Sequence, residues 1–150
     1  MKTYLILFLL GFVAFPAFAQ KSKADSKVLE VPYKYKASKV KTTKSGLKYV
    51  IIKKGKGAIP KTGQTITAHY HGVFEDGKVF DSSFERRKPF ETKIGIGRVI
   101  KGWEEAFQML KVGTKAVIIL PPNLAYGEQG GGGIPPNTTL IYHVKLLGIK

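Results

Sequence analysis

Residues Val99 to Gly113, VIKGWEEAFQMLKVG, are the one stretch after residue 20 with a sustained helical period, and this narrows the folds open to the chain. Trp103, Ala106, Phe107 and Leu110 fall at i, i+3, i+4 and i+7, on one face of a short helix. Gly102 can open that helix, Glu104 and Glu105 lie in its first turn where the dipole favours anions, and Lys111 with Gly113 marks its end. The rest of the chain alternates or turns. The expected architecture is α+β: a curled antiparallel β-sheet of about five strands wrapped around one short α-helix, with Trp103 between them.

With 150 residues and 43% hydrophobic composition, the chain can bury one core and has no room for two. Its 25 Lys and Arg against 10 Asp and Glu give a net charge of +15, which would suit nucleic acid, acidic lipid or a polyanionic envelope polymer. Twelve of the lysines, however, fall between Lys21 and Lys56, where Asp25 and Glu30 are the only acids. Such a run repels itself and extends. Residues 20–43 therefore read as a basic, disordered linker with no specific nucleic-acid site and at most weak contact with an anionic envelope surface.

Residues 1–19 read as a signal peptide. Met1 and Lys2 form a basic start, Tyr4 to Phe15 is apolar, and Ala17, Phe18, Ala19 give a small-x-small cleavage site before Gln20. Twelve apolar residues ended by Pro16 fall short of the roughly 20 that a membrane-crossing helix needs. The sequence has no cysteine, so neither a lipid attachment site nor a disulfide follows. The mature chain is expected to be exported, with the periplasm as destination and secretion or an early secretory compartment as alternatives.

Residues 44–150 read as the folded domain, with order beginning near Gly46. Leu47, Tyr49 and Ile51 alternate with lysines as an edge strand would. Ile66, Ala68 and Tyr70 share one strand face and Thr65, Thr67, His69 and His71 the other, so Tyr70 faces the core and the histidines a polar outer surface. His69 and His71 find no evident third ligand, since the only other histidine is His143, and no metal site is expected. Glu75 to Lys78 carries the Asp-Gly signature of a hairpin, and Val79 and Phe80 begin the returning strand. Asp81, if buried beside Phe80, needs a hydrogen-bond partner. Phe90 to Ile94, Lys115 to Leu120 and Leu140 to Ile149 are further strands. Between the last two lies Pro121 to Thr138, a long loop with five glycines and four prolines.

Familiar reactive motifs are missing. Ser82 and Ser83 lack a nucleophile elbow, Gly95 and Gly97 lack the third glycine of a dinucleotide loop, and the adjacent Glu104 and Glu105 do not face each other as an acid–base pair. What remains is aromatic. Tyr70, Phe80, Phe90, Trp103, Tyr126 and Tyr142, with Val99, Ile100, Ile134 and the polar Asp81, have the composition of an apolar cleft with few orienting groups.

HYHGVFEDGKVFDSSFERRKPF, VIKGWEEAFQMLKVG, LAYG and IPPNTTLIYHVKLL, within a match running from about Gly46 to Lys150, resemble the FKBP-type peptidyl-prolyl cis-trans isomerases, the immunophilins that bind tacrolimus and rapamycin. The resemblance implies catalytic roles for Tyr70, Phe80, Asp81 and Tyr126. It implies substrate binding by Phe90, Val99, Ile100, Trp103, Ile134 and Tyr142, with Trp103 as the floor. The Ile100 backbone N–H and the Tyr126 hydroxyl would hold peptide carbonyls, and Asp81 would lie beside the imide. No metal or cofactor is implied; the partners would be proline-containing unfolded or exported polypeptides and macrolides of the tacrolimus and rapamycin type. Three features depart from the family: Tyr142 where Phe is frequent, Thr92 where a further aromatic is common, and Gly130 to Gly133 in a loop one residue short. The glycines should be costly to order and lower activity on short peptides or drug affinity.

Overall fold

The computed structural model describes residues 31–150; the signal peptide assigned to residues 1–19 and the first part of the assigned linker lie outside the described residues. The elements are β1 (Lys41–Thr42), β2 (Lys48–Lys53), β3 (Thr65–Val73), β4 (Val79–Ser82), β5 (Phe90–Lys93), α1 (Lys101–Phe107), β6 (Lys115–Leu120) and β7 (Leu140–Ile149). All strand pairs are antiparallel, in the order β1-β2-β6-β7-β3-β4, with β5 also on β3. The sheet and single helix are as expected. The strands number seven among the described residues rather than about five, and the two-residue β1 is too short to carry a sequence pattern.

The central strand β3 does most to place the site. Ile66, Ala68 and Tyr70 point into the core in strict alternation, and Ile66 to Val73 pair with β7. Its other edge is shared: β5 pairs with Thr65–Ala68, and β4 pairs with His71–Val73. The chain between β4 and β5 must therefore leave the sheet opposite Tyr70. There the Ser83 N–H donates to the Tyr70 carbonyl at 3.0 Å, and Ser83 Oγ accepts from the Tyr70 N–H at 2.8 Å. That excursion brings Asp81, Arg86 and Phe90 around one tyrosine.

Helix α1 lies against the concave side, burying Trp103, Ala106 and Phe107. It ends at Phe107, earlier than the Lys111 and Gly113 signal predicted, because the Met109 N–H folds back onto the Ala106 carbonyl at 3.0 Å. Leu110 is buried just beyond the helix, so the apolar period outlasts the regular backbone. Gly102 permits the close approach to β6: a Cβ there would lie 1.4 Å from Leu120 Cδ2. The Glu104 carboxylate accepts hydrogen bonds from the N–H groups of Gly95 and Val99, and Glu105 accepts one from Ser45 Oγ. Glu104 lies in the first turn as expected and Glu105 just after it, and both tie the helix to neighbouring chain.

The outer face of the sheet corrects two expectations. His69, His71 and His143 are not on a polar solvent surface; they are 8%, 7% and 4% exposed. Phe84 stacks on His69 at 4.7 Å, and the Tyr33 ring stands edge-on to His143 at 5.7 Å, with the Tyr33 N–H donating to His143 Nδ1 at 3.0 Å. Structure therefore starts before Gly46, in a segment that covers a strand 110 positions away. Strand β2 is also misread: Leu47 and Val50 are buried while Ile51 is 41% exposed, and β1 flanks what looked like an edge. The register shift between Ile51 and Lys53 breaks the simple alternation.

Candidate functional site

Trp103 is the centre of an aromatic cluster assembled from the helix and three strands. Tyr70 of β3, Phe90 of β5 and Tyr142 of β7 present near-perpendicular rings to it, at centroid distances of 5.1, 5.7 and 5.3 Å. Such edge-to-face contacts set the positive ring edge against the negative ring face and fix the orientation of each ring. Phe107 supports Trp103 from the helix at 5.0 Å. The indole Nε1 is buried without a hydrogen-bond partner, the one such side-chain atom among the described residues.

A cavity of about 440 Å³ adjoins this cluster, lined by Tyr70, Asp81, Phe90, Val99, Ile100, Trp103, Tyr126 and Tyr142, with the exposed Gly97 and Arg98 at its margin. The size is in the range of pockets that enclose a small ligand or a few residues of peptide. Eight of the ten site residues inferred from the sequence line it. Phe80 does not; it packs edge-on against Tyr142 at 5.4 Å, where Gly72 leaves room for its ring: a Cβ on Gly72 would lie 2.5 Å from Phe80 Cζ. Ile134 is likewise away from the lining. It is buried in the core and exchanges two backbone hydrogen bonds with Gly131, folding the loop after Tyr126 on itself.

Tyr70 and Asp81 of the cavity lining form a three-residue network with Arg86, which approaches from outside the lining. The Tyr70 hydroxyl donates to Asp81 Oδ2, Arg86 Nη1 donates to Asp81 Oδ1, and Arg86 Nη2 donates to the Tyr70 hydroxyl at 2.8 Å. Burial raises the Asp81 carboxyl, but the Tyr70 and Arg86 hydrogen bonds and the Arg86 charge outweigh it and leave the pKa below the usual carboxylate value. Burial and then the neighbouring Asp81 hold the Tyr70 hydroxyl above the ordinary phenol value, and burial raises that of Tyr142. The site therefore contains a fixed carboxylate, two protonated phenols and apolar ring surface. Nothing in it is activated as a nucleophile.

Arg86 was not found from sequence. Asp81 signals the need for a partner, but Arg86 and Arg87 are adjacent, and the turn at 84–88 decides which one reaches back. Ile100 has a different kind of availability: its N–H, at the start of α1, donates to no protein group among the described residues. Among the described residues no three His, Asp or Glu side chains are grouped to hold a metal ion.

A family model for the FKBP-type peptidyl-prolyl cis-trans isomerases matches residues 56–147. FK506-binding protein 1 of Dictyostelium discoideum is 46% identical over 106 residues, covering 70% of this chain and 99% of that protein. The FKBP-type peptidyl-prolyl cis-trans isomerase FkpA of Escherichia coli (strain K12) is 40% identical over 134 residues; the match takes in 87% of this chain and 49% of FkpA, so the chain spans about half of that relative. The crystal structure of AtFKBP13 superposes with a TM-score of 0.71 at 37% identity, covering 74% of this chain and 98% of that one. That of Escherichia coli FkpA gives 0.71 at 38%, with 85% and 56% covered.

Proposed function

Because this chain belongs to the FKBP-type peptidyl-prolyl cis-trans isomerase family, we propose that it accelerates X-Pro rotation in exported polypeptides by enclosing the proline in the cavity above Trp103. The observation that carries this reading is the aromatic enclosure itself: three rings set edge-on to one indole, with an ion-paired carboxylate at the margin.

Rotation about an X-Pro bond is slow because it breaks amide resonance, with a barrier of about 18–20 kcal/mol. Resonance also makes the planar amide the more polar form. A dry aromatic pocket therefore disfavours the planar ground state relative to the twisted one, and donors aimed at the flanking carbonyls favour the twist further. The free Ile100 N–H and the Tyr126 hydroxyl are the donors assigned to those carbonyls, with Asp81 beside the imide and Tyr70 and Phe80 shaping the wall. Phe90, Val99, Trp103 and Tyr142 grip the ring, and Ile134 supports the loop. A 10⁵-fold acceleration corresponds to about 7 kcal/mol, a demand that desolvation and positioning can meet without proton transfer.

Exchange of a Leu-Pro test peptide, followed with the wild type and with Asp81→Ala and Trp103→Leu, tests the reading. Acceleration by the wild type and at least tenfold loss in either folded variant is expected. Equal acceleration by both variants would remove the reaction from this cavity.

The finer assignments follow from the same reading. The sequence of residues 1–19 supports export to the periplasm, residues 20–43 a basic arm whose part from residue 31 packs on the sheet, and residues 44–150 the isomerase domain. The Dictyostelium relative is named an FK506-binding protein, which supports macrolides of that type as ligands of the cavity. The basic arm continues into the domain as a basic surface: residues 31–74 carry ten lysines and no acid, and Lys34, Lys36, Lys39 and Lys41 line one groove with Tyr35 and Ile51. This supports weak contact with an anionic envelope surface alongside catalysis. Binding to anionic vesicles should be lost as salt is raised from about 0.05 to 0.5 M, where screening becomes short-ranged.

A further inference from the structure

The margin of the cavity carries a positive charge that the protein does not neutralise. Two lining residues are charged, Asp81 and Arg98. Asp81 is satisfied by Arg86 and Tyr70, so that pair contributes little net charge. Arg98 is exposed, lies between β5 and α1, and among the described residues makes no hydrogen bond and no ion pair. Its nearest acid along the chain is already engaged, because Glu104 accepts the N–H groups of Gly95 and Val99. Those two bonds bracket residue 98 and hold its backbone at the cavity mouth, next to Val99 and Ile100. A guanidinium carried there, with its planar donors free, is suited to a carboxylate on the bound chain.

We propose that Arg98 is a specificity-determining residue, favouring substrates with an Asp or Glu within about two residues of the isomerising proline. The proposal rests on the isomerase reading and names a substrate class for the same site. An extended chain advances about 3.4 Å per residue, so a side chain one or two positions from a proline seated over Trp103 is still at the mouth when the ring is buried. The cost of desolvating Arg98 is small because it remains open to water. The gain is correspondingly modest, that of an exposed ion pair, and amounts to about a two- to fivefold preference in kcat/KM at low salt. Lysine at the same substrate position meets like charge and is disfavoured by a similar factor.

The test uses the full chain and three peptides that differ only in having Glu, Gln or Lys beside a Leu-Pro pair, assayed at low and high salt. The Glu-to-Lys ratio of kcat/KM is read within each variant, so a change in overall activity cancels. The wild type is expected to rank Glu above Gln above Lys. Arg98→Lys should keep that order, Arg98→Ala should bring the ratio near one, and Arg98→Glu should invert it; high salt should flatten all of these. If the wild type turns over the Gln peptide but shows the same rate on all three, or if Arg98→Glu leaves the order unchanged, the proposal is wrong and the isomerase reading stands. If the wild type accelerates none of the peptides, both fall together.

Discussion

Asp81, Arg86 and Tyr70 close a ring of hydrogen bonds in which each residue constrains the other two. Arg86 fixes which way the carboxylate faces, and the Tyr70 hydroxyl, donating to that carboxylate, is held at the cavity wall. Replacing Arg86 with Met should cost about 0.5 kcal/mol in stability at neutral pH, a small figure because both charged partners are partly exposed. The depressed Asp81 pKa contributes above the unfolded value near 3.8 and is lost as pH falls through the folded value. In Arg86→Met that contribution shrinks, so the variant and wild type should converge in stability in acid. Chemical denaturation at pH 7 and pH 3 measures this, and a cost that is undiminished at pH 3 would show that Arg86 acts by packing instead. At this scale the sequence shows Tyr70, Trp103 and Tyr142 through period and spacing, and it shows that Asp81 lacks a partner. It hides Arg86 and Arg98, because a guanidinium in a turn has no periodic signature and only the folded path of residues 83–100 brings Arg86 onto Asp81 and Arg98 into the cavity lining.

Strand and helix were legible to different depths. Alternation in β3 identifies its core face correctly, since the strand runs through the centre of the sheet with one face under α1. The opposite face was misjudged for the reason that period two reports only a difference between faces. Whether the less apolar face is wet depends on what covers it, and Tyr33 and Phe84 arrive there from outside the strand. The helix lies where its period predicts but ends sooner, as the apolar spacing continues into a turn that still buries Leu110. Gly102 offers a direct test of how α1 seats on the sheet. Gly102→Ala gains helix propensity but drives a methyl into Leu120, and overpacking of this kind costs about 1–3 kcal/mol. Pairing it with Leu120→Ala should be less destabilising than the sum of the two single changes. Strict additivity in thermal unfolding would contradict the close approach.

The molecule as a whole carries an acid sensitivity separate from its site. His143 is buried against Tyr33 and His71, and burial followed by the His71 charge lowers its pKa to about 4. His69 is also lowered, by burial and by Lys145; burial lowers His71 although Glu85 opposes it. In each case the unfolded chain binds the proton more tightly than the fold does. Their contribution to stability is complete above the unfolded pKa of 6.5 and is lost progressively as pH falls towards 4, on the order of 2–3 kcal/mol for His143 alone. Urea midpoints should therefore fall between pH 6.5 and 4, and His143→Gln should flatten much of that slope. Catalysis should not follow the same curve near neutrality, because Asp81 is held low, Tyr70 and Tyr142 are held high, and no proton is transferred. The most direct measurement is the pH profile of kcat/KM for cis-trans exchange of an uncharged Leu-Pro peptide by the folded protein from pH 6.5 to 8.5. The account predicts acceleration that varies by less than about twofold across that window. A histidine-like titration of turnover would contradict it and require a proton-transfer group that this cavity does not provide.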